Sequence, residues 1–253
     1  MKYKKIFSLS ILLWMRKDKP REESMNYWKG PHSKIISASP ELLEYRQHHL
    51  SEIEYGFWPK EKGLNTDIII DRKIDGVAEV SYQRITSPLL GNKQTKLAFK
   101  DEINLFRRTL MHIGLPWSSK WWYTKSNSET EIRDFIFIQR NAKISKGKFK
   151  KYINTKMAEM ILESDGITEL RSQVYLPWNK LTWNTPNVAH DNPKEHQINA
   201  SYIIGFENNI AREKFYKEIA PKINKELVDY ASSIYAYKED QTITFVDEIN
   251  NKK

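Results

Sequence analysis

"NYWKGPHSKIISASPELLEYRQHHL", residues Asn26–Leu50, decides the fold once it is laid over the stretch 125 positions further on, "KYINTKMAEMILESDGITELRSQVY", residues 151–175. Tyr27, Ile36, Ser39, Glu44 and Arg46 then meet Tyr152, Ile161, Ser164, Glu169 and Arg171 without a gap, and upstream Ile11 meets Ile136. Leu13 over Ile138, Ile35 over Met160 and Leu42 over Ile167 keep apolar character. The identities are few, roughly twice what chance supplies, so they count only together with a matching order of elements.

That order recurs. Each half opens on an apolar strand (Ile6–Trp14; Asp134–Gln139), passes a basic turn, and enters an amphipathic helix (Arg21–Ser37; Lys146–Glu163). A break at Ser39-Pro40 or Asp165-Gly166 precedes a second strand (Leu43–Leu50; Glu169–Leu176). After a variable Pro/Trp-bearing connection come a third strand (Val77–Tyr82; Asn199–Phe206), a helix (Lys100–His112; Arg212–Tyr230) and a last strand (Trp121–Thr124; Ile234–Tyr237). The order is βαββαβ twice, an α+β pattern. Each ferredoxin-like unit makes a four-stranded antiparallel sheet with both helices on one face. The bare face needs a partner sheet, and the second copy supplies one. The polar run Thr124–Thr130 is the natural linker, so the expected units are residues 1–124 and 131–248.

Composition agrees with such a fold and narrows the function. At 253 residues, 40% apolar and 12% aromatic, the chain buries a substantial core. With no cysteine it has no disulfide, thiolate metal site or cysteine nucleophile, and it suits a reducing setting. The net charge of +9 comes from lysines spread along the whole chain, which reads as solvated surface and not as a nucleic-acid footprint. The N-terminus resembles a secretory signal but lacks the small-x-small cleavage site, and Arg16-Lys17-Asp18-Lys19 follows at once. As a strand it places Phe7, Leu9, Ile11, Leu13 and Met15 on one face and Ser8 and Ser10 on the other. No other apolar run approaches a membrane span of about eighteen residues. The expected address is the cytoplasm, with no membrane partner.

The run from the first strand through Tyr27-Trp28-Lys29-Gly30-Pro31-His32 to Tyr45-Arg46-Gln47-His48-His49 resembles the EthD-type branch of the dimeric α/β-barrel proteins. Those carry a Trp-x-x-x-His-like element on a helix and an alternating Tyr-x-Gln-x-His on the following strand. The resemblance covers about forty residues; the rest matches by element order. It implies two ferredoxin-like units whose sheets join into a barrel, here built from the two halves of one chain. It also implies a cleft between sheet and helices that in different members holds polyketide-like aromatics, lactones, phenols or haem. Members include cyclases, decarboxylases, isomerases and monooxygenases, so the fold does not settle the function.

On a helix, Trp28 and His32 share a face one turn apart, and Ile35 and Ile36 continue its apolar stripe. On the strand, Tyr45, Gln47 and His49 project to one side and Arg46, His48 and Leu50 to the other. If the first set faces the helix, four polar groups converge on one small volume. Imidazole titrates near neutrality, which suits His32 to serve as general base and His49 as a second proton carrier. Tyr45 and Gln47 would orient an oxygen that gains charge, while Tyr27, Trp28, Trp117 and Trp121 would hold a flat ring. Trp122, Trp178 and Trp183 are weighed as further mouth residues or core plugs. The plain alternative is that these are satisfied structural groups. Against it, the equivalents in the second half are Met157, Leu170, Ser172 and Val174, so the architecture does not demand the polar set. Arg46 and Arg171, kept in both halves beside Glu44 and Glu169 on the other strand face, point to polar contacts between the sheets.

The expectation is a cofactor-independent lyase, isomerase or cyclase acting on a small aromatic, polyketide-like or lactone compound. Haem is the alternative cofactor, with His32, His49, His112 or His190 as axial ligand, and a non-catalytic ligand carrier is the third possibility. No metal site is expected. His48 and His49 point apart, and the loop His190–His196 matches no standard ligand spacing. Tandem RNA recognition shares the element order, but the third strand, Asp75–Tyr82, lacks the Gly- and aromatic-rich signature. A homodimer of such barrels stays open.

Overall fold

The computed structural model describes residues 3–123 and 132–251; the expected linker lies outside the described residues. Eight strands form the barrel: β1 (Phe7–Met15), β2 (Leu42–Tyr55), β3 (Gly76–Tyr82), β4 (Phe106–Tyr123), β5 (Ile132–Arg140), β6 (Ile167–Tyr175), β7 (Ala200–Phe206) and β8 (Ala231–Asp247). A two-residue strand, Lys4–Lys5, extends β1 along the far end of β4. Within each half the first strand is central. β1 lies between β4 and β3, with β2 outside β3; β5 lies between β8 and β7, with β6 outside β7. All pairings are antiparallel, β2 joins β8, and β4 joins β6, which closes the barrel.

The repeat is carried element by element. Phe7–Met15 and Ile132–Arg140 stand 125 positions apart, as do the starts of β2 and β6 and of β4 and β8. Helix α1 (residues 21–37) and its counterpart α3 (residues 146–162) each contain a π-helical turn at matching positions, Trp28–His32 and Ile153–Met157. A π turn leaves a carbonyl without its usual helical donor. At Trp28 the carbonyl accepts from Gln47 Nε2 (2.9 Å), and at Ile153 it accepts from the Tyr202 hydroxyl. Pro31, with no N–H to donate, sits inside the first of these turns.

Side-chain alternation sorts the strand residues into outward-facing and barrel-facing sets, as the period of two requires. Phe7, Leu9, Ile11, Leu13 and Met15 pack outward under α1 and α2 (Asn92–Glu102), with Met25, Trp28 and Phe106. Ile136, Ile138, Tyr152, Met157, Ile161 and Tyr202 fill the matching space under α3 and α4 (residues 209–230). Leu12, Trp14, Phe135, Phe137 and Tyr237 point into the barrel.

One expected element is corrected. Residues 100–112 are not a helix: α2 ends at Glu102, and from Phe106 the chain is strand. Leu105, Phe106, Leu110 and Met111 imitate a helical stripe in sequence. In the barrel, Leu110 pairs with Leu12 and Met111 with Ile11, so the two residues belong to opposite faces of a strand whose backbone groups β1 satisfies. The true helix escaped notice because its face is nearly all polar, with Ala98 and Glu102 as its buried residues. The last strands are accordingly far longer than expected, Phe106–Tyr123 and Ala231–Asp247. Near Pro116 the β4 register shifts between Gly114 and Ser119, where a residue without N–H forces a bulge.

The barrel interior is charged. Fully buried Arg171 donates to Glu44, Glu79 (2.5 Å) and Glu169 (2.6 Å), and its guanidinium lies 3.8 Å from the Trp121 ring centre. Arg46 and Arg133 each reach Glu169 at 2.9 Å. His48 Nδ1 bonds Glu239 at 2.9 Å; burial alone would lower the His48 pKa, but Glu239 and Glu79 together raise it. The carboxylates of Glu44, Glu79, Glu169 and Glu239 thus face the guanidiniums of Arg46, Arg133 and Arg171 and the His48 ring. Arg46 and Arg171 make the inter-sheet contacts their position predicts. Among the described residues no helix is long and apolar enough to cross a membrane.

Candidate functional site

The faces of β2 fall as the alternation requires. Tyr45, Gln47 and His49 face α1, and Arg46 and His48 face the barrel. The Gln47 amide then ties the set together. Its Nε2 donates to the Trp28 carbonyl and to the Tyr45 hydroxyl (2.7 Å), and its Oε1 lies 3.1 Å from His49 Nε2. Because Oε1 only accepts, His49 carries its proton on Nε2. Trp28 stacks on His49 with ring centres 4.7 Å apart at 16°. Burial, assisted by Arg21 and Lys29, lowers the His49 pKa to about 4. Gln47 and His49 are therefore committed to holding the strand against the π turn, and His49 stays neutral at pH 7.

His32 is placed differently. Its Nδ1 lies 2.8 Å from Asp101 Oδ2, its ring edge meets the face of Phe106 (5.8 Å, 88°), and it is 4% exposed. Tyr27, on the rim, donates its hydroxyl to the other oxygen of Asp101 (3.0 Å). The bond to His32, opposed by partial burial, keeps the Asp101 carboxyl below the usual range. The carboxylate holds Nδ1–H and leaves Nε2 without a hydrogen bond among the described residues.

His32, Trp28 and Tyr45 line a small cavity between sheet and helices, with Leu9, Ile11 and Leu13 as its floor. Its volume is about 40 Å³. Glu102 also lines it: burial raises this carboxyl to about 7, only partly offset by the bonds donated from Thr185 and from Trp183 Nε1 (3.0 Å). An imidazole with a carboxylate behind it and a carboxyl poised near neutrality thus share one apolar space.

The remaining sequence candidates fall elsewhere. Trp117 is on the surface, 58% exposed, and Trp121 is sealed inside the barrel under Arg171. Sequence reasoning missed Asp101 and Glu102 because both sat in a helix assigned to the wrong residues. Trp183 does line the cavity; Trp178 packs with the barrel core. In the second half, Met157 and Leu170 are fully buried where His32 and Tyr45 stand in the first, and Ser172 donates to Asn154 (2.7 Å). Among the described residues no group of three or more His, Asp or Glu side chains is arranged to hold a metal ion.

No protein-family model matches the chain and no curated protein matches its sequence. Solved structures do. An anthrone oxidase-like protein superposes with a TM-score of 0.59 at 7% identity, over 97% of this chain and 95% of its own. A candidate monooxygenase from Lactobacillus acidophilus NCFM gives 0.52 at 13%, over 95% and 96%. A candidate DyP-type peroxidase from Shewanella oneidensis gives 0.53 at 8%, over 93% and 92%. At these identities the likeness is one of fold: the chain is a dimeric α/β barrel closed within a single polypeptide.

Proposed function

We propose that the cleft of the first half performs proton transfer on a small, largely apolar carbon acid or phenol, as a lyase, isomerase or cyclase of the EthD type would. The observation that carries this reading is the pairing of His32, backed by Asp101, with Glu102 across one apolar cavity. His32 Nε2 takes a proton from the substrate, and Asp101 stabilises the imidazolium that results. Glu102, about half protonated near pH 7, returns a proton at a second position, so atoms and charge balance with no redox change. Tyr45 donates toward an oxygen that gains charge, and Trp28 walls the space. The cavity of about 40 Å³ admits the reacting end of a substrate and little more, roughly three waters' worth.

Haem, the alternative raised by the family resemblance, is not accommodated by this cleft. Cofactor-sized sites run to about 300 Å³ and above, several times this cleft. Both nitrogens of His190 are held by backbone carbonyls, of Thr109 (2.7 Å) and Thr185 (3.1 Å). His49 lies under Trp28, and His112 is enclosed against Tyr175.

Mass spectrometry of small molecules copurifying with the protein identifies the compound, and its conversion or deuterium uptake in heavy water is then followed. His32→Ala is expected to lower turnover at least about a hundredfold while Met157→Ala leaves turnover intact. Equal, negligible effects of the two would remove the proposal, and tight binding with no turnover would make the protein a carrier.

A further inference from the structure

The cleft of the first half is closed by a side chain of the second. Trp183 lies in the connection between β6 and β7, half-buried between exposed neighbours, and forms part of the cleft wall. Its Nε1 donates to both oxygens of Glu102 (3.0 and 3.3 Å), and its ring meets that of Phe99 edge-on, with centres 4.8 Å apart at 84°. Little else holds it. Residues 179–182 and Asn184 are exposed, Leu181 at 82%, and among the described residues the backbone of this stretch bonds only within its own turn, from the Thr182 amide to the Asn179 carbonyl (3.1 Å). Firm attachment resumes on either side. The Leu176 amide donates to the Ile113 carbonyl (2.9 Å), and beyond Trp183 the buried Thr185 hydroxyl also donates to Glu102, followed by buried Val188 and His190. Trp183 is thus an indole on a loosely tethered strap, pinned chiefly by one carboxyl group and one ring.

The space beneath it, about 40 Å³, takes only the reacting end of a molecule, so a whole ring enters only if a wall gives way. Every lining residue except Ser39 and Trp183 belongs to a strand or a helix, and of these two only Trp183 is large. We propose that Trp183 is both the gate of the cleft and a stand-in for its ligand: a substrate enters by swinging this indole off Glu102, and its own flat ring and N–H or O–H donor take over the place and the hydrogen bond that the indole gives up. The proposal rests on the proton-transfer reading, which places the substrate in this cleft. A flat ring is required because the vacated space has the shape of an indole against Phe99. A donor is required because Glu102 is buried, and an acceptor that loses a donor away from water is penalised unless another replaces it.

The test uses the full chain with indole and with benzofuran, the same bicyclic shape without an N–H, followed by the indole N–H resonances of the ¹⁵N-labelled protein. That of Trp183 is assigned by its loss in Trp183→Phe. Indole is expected to bind saturably and to shift the Trp183 resonance as its bond to Glu102 is given up, with benzofuran about tenfold weaker. Trp183→Ala, which leaves the place empty, is expected to bind indole at least about tenfold more tightly than wild type. Equal affinity of Trp183→Ala and wild type for indole, no saturable binding to either, a Trp183 resonance unmoved at saturation, or equal binding of benzofuran would overturn the proposal. Should Trp183→Ala fail to fold, the wild-type resonance and the benzofuran comparison decide it. Turnover of a copurifying compound tells the two readings apart: displacement of Trp183 without any proton transfer keeps the gate and removes the enzyme, whereas turnover with Trp183 unmoved removes the gate alone.

Discussion

Replacing His112 by Phe should make the protein more resistant to acid, by an amount that the structure sets. His112 lies inside the barrel, 1% exposed, with its ring 4.8 Å from that of Tyr175 and neither nitrogen hydrogen-bonded to a described residue. Burial alone lowers its pKa from 6.5 to about 4. The unfolded chain accepts a proton near 6.5 and the folded chain resists it to about 4, so the stability due to this group is fully present above 6.5 and lost as pH falls toward 4. The whole loss is about 3 kcal/mol, of which about 2 kcal/mol has gone by pH 5. Phe is close to isosteric and does not titrate. Urea unfolding of wild type and His112→Phe at intervals from pH 7.5 to 4.5 should give curves that diverge below pH 6.5 by these amounts in favour of the variant. Taking the difference at each pH cancels the opposing slope from His48, whose raised pKa makes its contribution fade as pH rises. A difference constant to within about 0.5 kcal/mol across that range would refute the assignment of a neutral buried imidazole.

Three further outcomes follow from the same contacts. Arg171→Met leaves Glu44, Glu79 and Glu169 facing one another in the barrel, and should cost about 3–5 kcal/mol in chemical denaturation. Gly76→Ala would set a Cβ 2.6 Å from the Trp28 ring; displacing that ring from His49 should cost about 1–3 kcal/mol and alter the near-ultraviolet circular dichroism. For Glu102, the folded carboxyl keeps its proton to about 7 against an ordinary 4.5, so its contribution is complete below 4.5 and lost as pH rises through 7. Glu102→Gln should therefore lessen the loss of stability between pH 5 and 8 by about 3 kcal/mol, read by denaturant midpoint.

The duplicated βαββαβ order, the outward and inward faces of β1 and β2, the polar first cleft and its greasy counterpart were legible in the residues, because strand and helix periods are local properties that need no knowledge of neighbours. Tertiary structure decided the rest. Residues 106–112 became strand because β1 offered their backbone partners, and Gln47 was withdrawn from any ligand by a carbonyl that a π turn in α1 exposes. His32 acquired Asp101 from a helix 69 residues away, and Glu102 acquired a pKa near neutrality from burial, which the bonds from Thr185 and Trp183 only partly offset. Trp183, from the second half, closes the cleft of the first. Partners so far apart along the chain leave no periodicity in it. Which groups end up hydrogen-bonded, desolvated or left unpaired is settled only when packing brings distant segments to within a few ångströms.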